Sequence, residues 1–453
     1  MKARAGLVVL LLVAFMLVIA PFFHSGKPPL AQMILNLGGV LLLCVIALAG
    51  LVRQRLDRRL WSFLALSIIA VAIYLVPVPW GVWKMLPGRD LYTEVYRWLM
   101  EYQQVEPDLR LSIVPYQTMN ALLALLPPLA VFLGTLALSG EKIRQLVLLL
   151  LAVASLQAAI GILQALSILP VEVLGIPFHE GRGIGTYLNT NHFSGLLEMA
   201  LPLAFAMLFH AASHGHERDG ELSGHRTGLL LLYGGMIFLF VTAILFSRSR
   251  AGILLAILAI VLSLAVFYHF RRGTGSVKTV TAVTGLAAVV AIGIASIPVL
   301  NRFVSLNPMD DDRWTTFENT IEGIRAFFPV GSGPGTFPDI YRAFQPVEQM
   351  LFINHAHNDY LELLLEMGLL GAIIITAFLF LYVTGWTRLD RQHADQMQLF
   401  QVASGISLFI LLLHSLVDFN LHTPANAIVF AFLAGIFFRK RQDLQRRRKS
   451  RAG

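Results

Sequence analysis

The stretch from Gly331 to Gly371 reads GSGPGTFPDIYRAFQPVEQMLFINHAHNDYLELLLEMGLLG. It contains a Gly/Pro-rich run, a polar step at 355–359 with two histidines, and the start of a long apolar helix. The chain around it is mostly apolar and nearly free of charge. Polar side chains concentrated in one loop of such a chain indicate a functional loop that leads into a buried helix.

The overall composition is that of a polytopic membrane protein. The 453 residues are 56% hydrophobic and 14% charged, whereas a soluble domain carries about 25% charged residues. The single cysteine, Cys44, excludes an internal disulfide framework and any site with several cysteine ligands. A net charge of +8 could suggest nucleic acid, but the basic residues follow the pattern of membrane orientation. No nucleic-acid partner is therefore predicted.

Apolar runs of about 20 residues, the length that crosses a bilayer, recur along the whole chain. They predict an all-α polytopic membrane protein with one transmembrane domain over residues 1–453 and about twelve spans. The spans are predicted at 6–23, 30–52, 60–79, 116–138, 146–168, 191–211, 228–247, 251–270, 279–299, 361–385, 398–417 and 425–438. The first run resembles a signal peptide, but no small-residue cleavage site follows it, so a retained helix is predicted.

The basic residues orient these spans. With a cytoplasmic N-terminus and alternating sides, about two thirds of the 35 lysines and arginines lie in cytoplasmic segments. Both termini are then cytoplasmic, and 439–453 is a basic tail. The periplasmic side receives 80–115, where aromatic residues at helical spacing predict an interfacial helix. It also receives the large loop 300–360 between spans 9 and 10, which is predicted to be helical and packed.

Arginines collect on the same side. Arg182 lies in the loop before span 6, Arg248 and Arg250 lie in the short turn 247–252, and Arg313 lies in the large loop. The guanidinium is a rigid fork of donors that suits phosphate oxygens, and a short turn holds it at the depth of a lipid pyrophosphate. For Arg248, snorkelling to head groups is the favoured interpretation. Arg250 lies at the start of a predicted helix, where its positive charge opposes the helix dipole. An anionic partner is therefore expected.

The two histidines His355 and His357 leave several roles open. An HxH pair can bind zinc, but no third ligand is evident, and no metal site is predicted. A neutral histidine could be the general base for a hydroxyl acceptor, or it could simply be satisfied by backbone groups. Asn358 or Asp359 is expected to cap the next helix. The run 331–337 lacks the rest of a nucleotide motif and is interpreted as a turn.

Acidic residues add three candidates. The run 310–312 could hold a divalent metal, but such a run on a loop is more often solvated. Glu198 lies about 10 Å deep in span 6, where a functional and a structural role are equally open. Asp418, at the outer end of span 11, could orient a histidine or an arginine of the large loop.

Taken in order, several motifs resemble the O-antigen ligase family, which also includes O-antigen and exopolysaccharide polymerases. They are GTYLNTNHFSGLLEMALPL at 185–203, SRSRAG at 247–252, DRWTTFENTIEGIRAFFPVGSGPGTF at 312–337, HAHNDYLELLLEMGLLG at 355–371 and HSLVDFNLHTP at 414–424. The resemblance covers roughly the second half of the chain. Each motif is degenerate alone, and their order together with the large loop makes the resemblance specific.

The resemblance implies a GT-C-like helical fold and a metal-independent, inverting glycosyltransferase of the bacterial inner membrane without a cofactor. The donor would be a glycan on undecaprenyl pyrophosphate at the periplasmic face. The acceptor would be lipid A–core for a ligase, or a second lipid-linked glycan for a polymerase. By motif position Arg250 and Arg313 would engage the diphosphate and His357 would be the base. Expected substrate contacts are Arg182, Asn191, His192, Arg248, His355, Asn358 and Asp418, with His355 as a second candidate base.

A transporter or flippase is the alternative from another class. It predicts charges or broken helices at the membrane midplane and inverted repeats. The predicted spans contain few such features, and the polar groups gather on one side. Glycosyl transfer is therefore the favoured function.

Overall fold

The structure, a computed structural model, describes residues 2–51, 57–168, 181–213, 224–269, 312–347, 349, 351–389 and 395–440. Within these ranges almost all regular structure is helical, and the α-helices are numbered in chain order. They are α1 (Lys2–Phe22), α2 (Pro29–Leu48), α3 (Arg58–Ala72), α4 (Trp80–Trp83), α5 (Asp90–Tyr102), α6 (Pro115–Ala124), α7 (Leu126–Ala137), α8 (Gly140–Ala165), α9 (Thr190–Ser213), α10 (Gly224–Ser247), α11 (Arg250–His269), α12 (Asp312–Phe327), α13 (Phe337–Ile340), α14 (Asp359–Trp386), α15 (Gln396–His414) and α16 (Pro424–Phe437).

Ten helical segments in the described ranges are long and apolar enough to cross a membrane. They coincide with ten of the predicted spans, and α16 is a shorter apolar helix at the twelfth. The chain is therefore a polytopic helical membrane protein, as predicted. The ninth span at 279–299, the residues 300–311 of the large loop and the tail beyond 440 lie outside the described residues, so the count of twelve stays a prediction.

The centre of the bundle is α9, which packs against α8, α10, α11 and α15. Apolar residues occupy every face of α9, and a helix that is apolar on every face is stable only when its neighbours bury it completely. Nearly every residue of α9 is indeed buried. Asn189 marks its start by accepting a hydrogen bond from the Asn191 N–H (2.7 Å). The polar residues of the first turn of α9 lie at the same end of the bundle as the start of α14 and the end of α15. We call this end of the bundle the outer end.

A second layer covers the outer end. In it, α12 packs against α14, and an apolar cluster joins Phe327, Phe337 and Tyr341 to residues of α14 and of the segment before α6. The prediction that the large loop is helical and packed is confirmed for Asp312–Phe327. In the segment 80–115, α5 leaves an apolar edge exposed, formed by Leu91, Val95, Trp98 and Tyr102. That edge suits the predicted interfacial helix.

Arg89 ties the segment 80–115 to the large loop, and the sequence did not single it out. Its buried guanidinium donates to the carbonyl oxygens of Leu111 (2.5 Å) and Gly331 (3.4 Å). It also lies 5.7 Å from the ring centroids of both Trp83 and Phe327. Burial lowers the pKa of Arg89 to about 10, so the group stays charged at neutral pH. The arginine thus stabilises the packing of the two periplasmic segments predicted from sequence.

The Gly/Pro-rich run 331–337 is a turn, as interpreted from sequence. It lies against a break in α14, where Gly368 has φ of +50°. The Leu369 N–H donates to the Pro329 carbonyl (2.9 Å), and the Gly333 N–H donates to the Glu366 carbonyl (2.8 Å). The turn therefore satisfies backbone groups that the break in the helix would leave without partners. Because its own amides are used in this way, the turn stabilises the break in α14 instead of cradling a phosphate.

Gly331→Ala is expected to destabilise this junction. Gly331 has φ of +85°, and an added Cβ would overlap the Glu366 carbonyl oxygen. The backbone strain and the overlap together should cost about 2–4 kcal/mol, seen as a lower Tm of the detergent-solubilised protein. Gly81→Ala is the matched control, since no atom lies within 4 Å of a Cβ at that position. Equal Tm values for the two variants would contradict this role of the turn.

Candidate functional site

Asp418 is the centre of the candidate site. It lies in the turn between α15 and α16 and is fully buried. Its Oδ2 accepts a hydrogen bond from the Asn191 side-chain amide and lies 3.8 Å from Arg313 Nη2. Its Oδ1 lies 3.6 Å from His357 Nδ1 and 3.6 Å from His192 Nε2. One carboxylate thus brings together four residues singled out in the sequence, from α9, α12 and the loop before α14.

The charge of this carboxylate is stabilised by its neighbours. Burial by itself would raise the pKa of Asp418. The histidines His192 and His357, together with Arg313, outweigh that effect and hold the pKa well below its usual value. Asp418 is therefore an anion at neutral pH. A buried anion of this kind fixes the orientation of the basic groups around it.

His357 has an uncommon backbone conformation beside this carboxylate. Its φ is +53°, a left-handed value that costs a residue other than glycine about 1–3 kcal/mol. The next residue, Asn358, explains why the conformation is kept. Its Oδ1 accepts from the Tyr360 and Leu361 N–H groups, and its Nδ2 donates to the Leu416 carbonyl (2.9 Å). The predicted cap at Asn358 therefore starts α14 and also joins His357 to the turn that carries Asp418.

His355 belongs to a different network. Its Nδ1 lies 2.8 Å from Glu362 Oε1, and burial lowers the pKa of the ring despite that carboxylate. His422 pairs with Asp359 (2.7 Å) and with Glu362 (3.3 Å). Burial lowers the pKa of His422, but these carboxylates outweigh burial and raise it to about 10. The two histidines of the HAH step are thus separated: His357 faces Asp418, and His355 faces Glu362.

The His355 network is the group of described residues best placed to hold a metal ion. One ligand atom each from His355, Glu362 and His422 lie within 4.8 Å of one another. The 2.8 Å between His355 Nδ1 and Glu362 Oε1 is shorter than the ~3.3 Å that separates two ligand atoms around tetrahedral zinc. His422 is also protonated at neutral pH by the shift given above. The geometry is that of a hydrogen-bonded ion network.

The short turn 247–252 reaches Asp418 through Asn191. Ser249 Oγ donates to Asn191 Oδ1 (2.7 Å) and accepts from the Gly252 N–H (3.0 Å), so it also caps α11. Arg250 is the first residue of α11 and follows this link directly. Gly252 lets α11 approach α9 closely, because a Cβ there would lie 2.7 Å from Ser194 Cβ. The backbone of Arg250 therefore directly follows the residue that bonds to Asn191, the partner of Asp418.

Arg182 and Arg248 lie in two adjoining turns beside this link. The Gly183 N–H donates to the Phe246 carbonyl (3.0 Å), which joins the turns. Arg248 has φ of +56°, and its guanidinium lies next to Gly181. Both arginine side chains are partly exposed.

Glu198 has a structural partner. Its Oε2 lies 3.0 Å from His414 Nδ1, and both side chains are fully buried. His414 lies one helical turn before Asp418. The Glu198–His414 pair thus stabilises the end of α15. This favours the structural role of Glu198, which the sequence left open.

Phe419 and Lys27 were missed in the sequence. The Phe419 ring is stacked on His355 (4.2 Å between centroids) and is edge-on to His192 (4.6 Å) and His357 (4.9 Å). Lys27 Nζ lies 5.0 Å from the same ring centroid. For Phe419 the available signal was its position directly after Asp418. For Lys27 it was a basic residue placed outside by the predicted topology.

The comparison with known families agrees with this geometry. Residues 235–376 match the family model described as O-antigen ligase. No curated protein matches the chain. The matched segment contains Arg250, Arg313 and His357, while Asn191 and Asp418 join the same site from outside it. Residues 235–376, which include three residues of the site, are therefore similar to the O-antigen ligase family.

Proposed function

We propose that the protein transfers a glycan from undecaprenyl pyrophosphate to an acceptor hydroxyl, and that it is an O-antigen ligase with lipid A–core as acceptor. One observation carries the proposal. Within the matched family segment, a histidine and an arginine meet one buried carboxylate at 3.6 and 3.8 Å. This combination supplies a base and a phosphate-binding cation at one place.

His357 is the proposed general base. Asp418 faces Nδ1, which favours the tautomer with the proton on Nδ1 and leaves Nε2 free to accept the proton of the acceptor hydroxyl. The acceptor oxygen then forms a bond to the anomeric carbon. The bond from that carbon to the diphosphate oxygen breaks, and the lipid diphosphate leaves with the electron pair. Attack opposite the leaving group inverts the anomeric configuration.

Arg313 and Arg250 are the proposed partners of the leaving diphosphate. Arg313 Nη1 donates to the Val417 carbonyl (3.1 Å), and its side chain is 31% exposed, so part of the fork faces the accessible side. Preorganised cations offset the charge that develops on a leaving group. Arg182 and Arg248 are proposed to contact the donor diphosphate or its glycan from the neighbouring turns.

Burial refines the roles expected for the other site residues. His192 and Asp418 are almost completely buried, and Asn358 uses both side-chain groups to hold the backbone. We assign these three, with Asn191, as positioning residues that act through His357 and Arg313. His355 touches the site through the Phe419 ring and is assigned to the acceptor side.

No metal or cofactor is required in this proposal, because cations of the chain itself face the diphosphate. Activity of the purified protein is therefore expected to persist in EDTA, within about twofold of the untreated sample. The measurement is transfer of lipid-linked glycan to purified lipid A–core after dialysis against the chelator. Loss of activity that Mg²⁺ or Zn²⁺ restores would contradict the metal-independent mechanism.

The proposed location is the bacterial inner membrane, with both termini in the cytoplasm and the site at the periplasmic face. The excess of basic residues in the segments assigned to the cytoplasm supports this orientation. The outer end of the bundle would then face the periplasm, where the lipid-linked donor is exposed.

Deletion of the gene tests the proposed function. Lipopolysaccharide of the deletion strain is examined by gel, with the plasmid-borne gene as the control that restores the wild-type pattern. A core without any O-chain is the expected result. A core that carries a single repeat unit would identify a polymerase, the alternative within the same family. Normal glycans with altered flux of a solute would overturn both and favour a transporter.

A further inference from the structure

Lys27 is a charged group of the candidate site that comes from the first half of the chain. It lies in the turn between α1 and α2, far from the matched segment 235–376. Its ammonium nevertheless lies 5.0 Å from the centroid of the Phe419 ring. Phe419 follows Asp418 directly, and the same ring contacts His357. The lysine therefore lies beside the proposed base and its carboxylate.

The turn that carries Lys27 is held against the turn that carries Phe419. Gly26 has φ of +79°, and a Cβ there would lie 2.8 Å from Pro424 Cβ. The Gln32 side-chain amide donates to the Lys27 carbonyl (2.9 Å). At the end of α1, the Pro21 carbonyl accepts from Thr186 Oγ1 (2.7 Å). The position of the lysine backbone is thus set by contacts on both sides of it.

Within the described residues, the hydrogen-bond donors of the Lys27 ammonium are not used. An ammonium offers three donors, yet Nζ makes no hydrogen bond to any residue in the described ranges. Burial lowers the pKa of Lys27, and the negative charge of Asp418 only opposes that shift. Asp418 itself already faces Arg313, His192 and His357. A further anion at this place would accept from the donors of the ammonium that no described residue uses.

We propose that Lys27 binds the diphosphate of the lipid-linked donor, as a third cation beside Arg250 and Arg313. This role rests on the proposed function and adds a contact from the N-terminal half of the bundle. Lys27, Arg250 and Arg313 are three cations for the single carboxylate of Asp418, so a dianionic group balances the charge of these four residues. The contact exists before and after bond cleavage, so it acts on donor binding and on release of the lipid diphosphate.

Two charge variants and one control test this assignment in the purified full-length protein. Lys27→Met removes the charge and keeps most of the stem, Lys27→Arg keeps the charge, and Lys84→Met changes an exposed lysine of the segment 80–115. The probes are undecaprenyl pyrophosphate and inorganic pyrophosphate, measured by direct binding. Lys27→Met should weaken both by about tenfold or more, the size of one lost charge-assisted hydrogen bond. Lys27→Arg should stay within a few-fold, and Lys84→Met should equal the wild type.

The outcomes separate the lysine from the proposed function. Wild-type affinity in a folded Lys27→Met protein, or equal losses in the Met and Arg variants, would overturn the role of Lys27 and leave the donor proposal standing. A wild-type protein that binds neither probe would overturn both. Displacement of the probes by micelles of phosphatidylglycerol would show that the lysine recognises bilayer head groups. That result would also overturn the proposed role of Lys27 at the donor diphosphate. Should Lys27→Met fail to fold, Lys27→Gln takes its place in the same comparison.

Discussion

His357→Asn should lower the rate of glycan transfer by about 10²–10⁴-fold, the usual contribution of a general base, while the protein remains in the membrane at wild-type level. Asparagine is chosen because it tolerates the left-handed backbone (φ of +53°) that His357 adopts. The variant therefore removes the imidazole without adding backbone strain. The measurement is transfer from lipid-linked glycan to acceptor with the purified enzyme, and His357→Ala should give the same loss.

The matched control is the other histidine of the same step. His355→Gln keeps a group that can bond to Glu362. It should reduce activity by less than about tenfold, because His355 pairs with Glu362 and stacks on the Phe419 ring instead of acting as the general base. The reverse pattern, with a large loss at His355 and a small loss at His357, would move the base to His355. Retention of activity in both would refute histidine catalysis at this site.

Arg313→Ala is expected to lower kcat by about 10²–10³-fold, the size found when a donor that stabilises developing charge is removed. Arg313 opens α12 and is held between Asp418 and the Val417 carbonyl. Arg313→Lys should recover only part of the loss, since a single ammonium does not reproduce the planar fork. The measurement is kcat with the lipid-linked donor at saturation.

Arg325 provides the control for this prediction. It lies in the last turn of the same helix, is exposed and is far along α12 from Asp418. Arg325→Ala should leave kcat and expression unchanged. If the two alanine variants lost equal activity, the effect would come from the helix as a whole, and the role of Arg313 at the diphosphate would be wrong.

Local signals in the sequence predicted much of the architecture. Continuous apolar runs predicted the membrane spans, since a helix in lipid must satisfy its own backbone. The helical spacing between Trp314 and Phe327 predicted α12, and the asparagine before Asp359 predicted the cap of α14. The Gly/Pro-rich run at 331–337 predicted a turn. Each of these features depends on residues a few positions apart, so no knowledge of the fold was needed.

Which of these elements pack against one another depends on contacts between residues that are far apart in the sequence. Arg89 and Gly331 are far apart in sequence, and so are Lys27 and Phe419, yet each pair meets in the structure. No periodicity or spacing carries such information, because packing of separate helices decides it. Packing of separate segments also decides which residues Asp418 faces. The sequence offered a histidine or an arginine of the large loop, and the fold places one of each, His357 and Arg313, beside the carboxylate.

By itself, then, the stretch from 331 to 371 determined a turn, a polar step and a capped membrane helix, through short-range backbone and side-chain preferences. It did not determine which histidine of the step faces the site. The tertiary structure decided that His355 pairs with Glu362 and that His357 faces Asp418. The physical reason is that Asn358 binds the Leu416 carbonyl (2.9 Å), which brings the start of α14 against the turn after α15. Long-range contacts of this kind, which also include the Asp359 N–H to the Ser415 carbonyl, give the two histidines different neighbours.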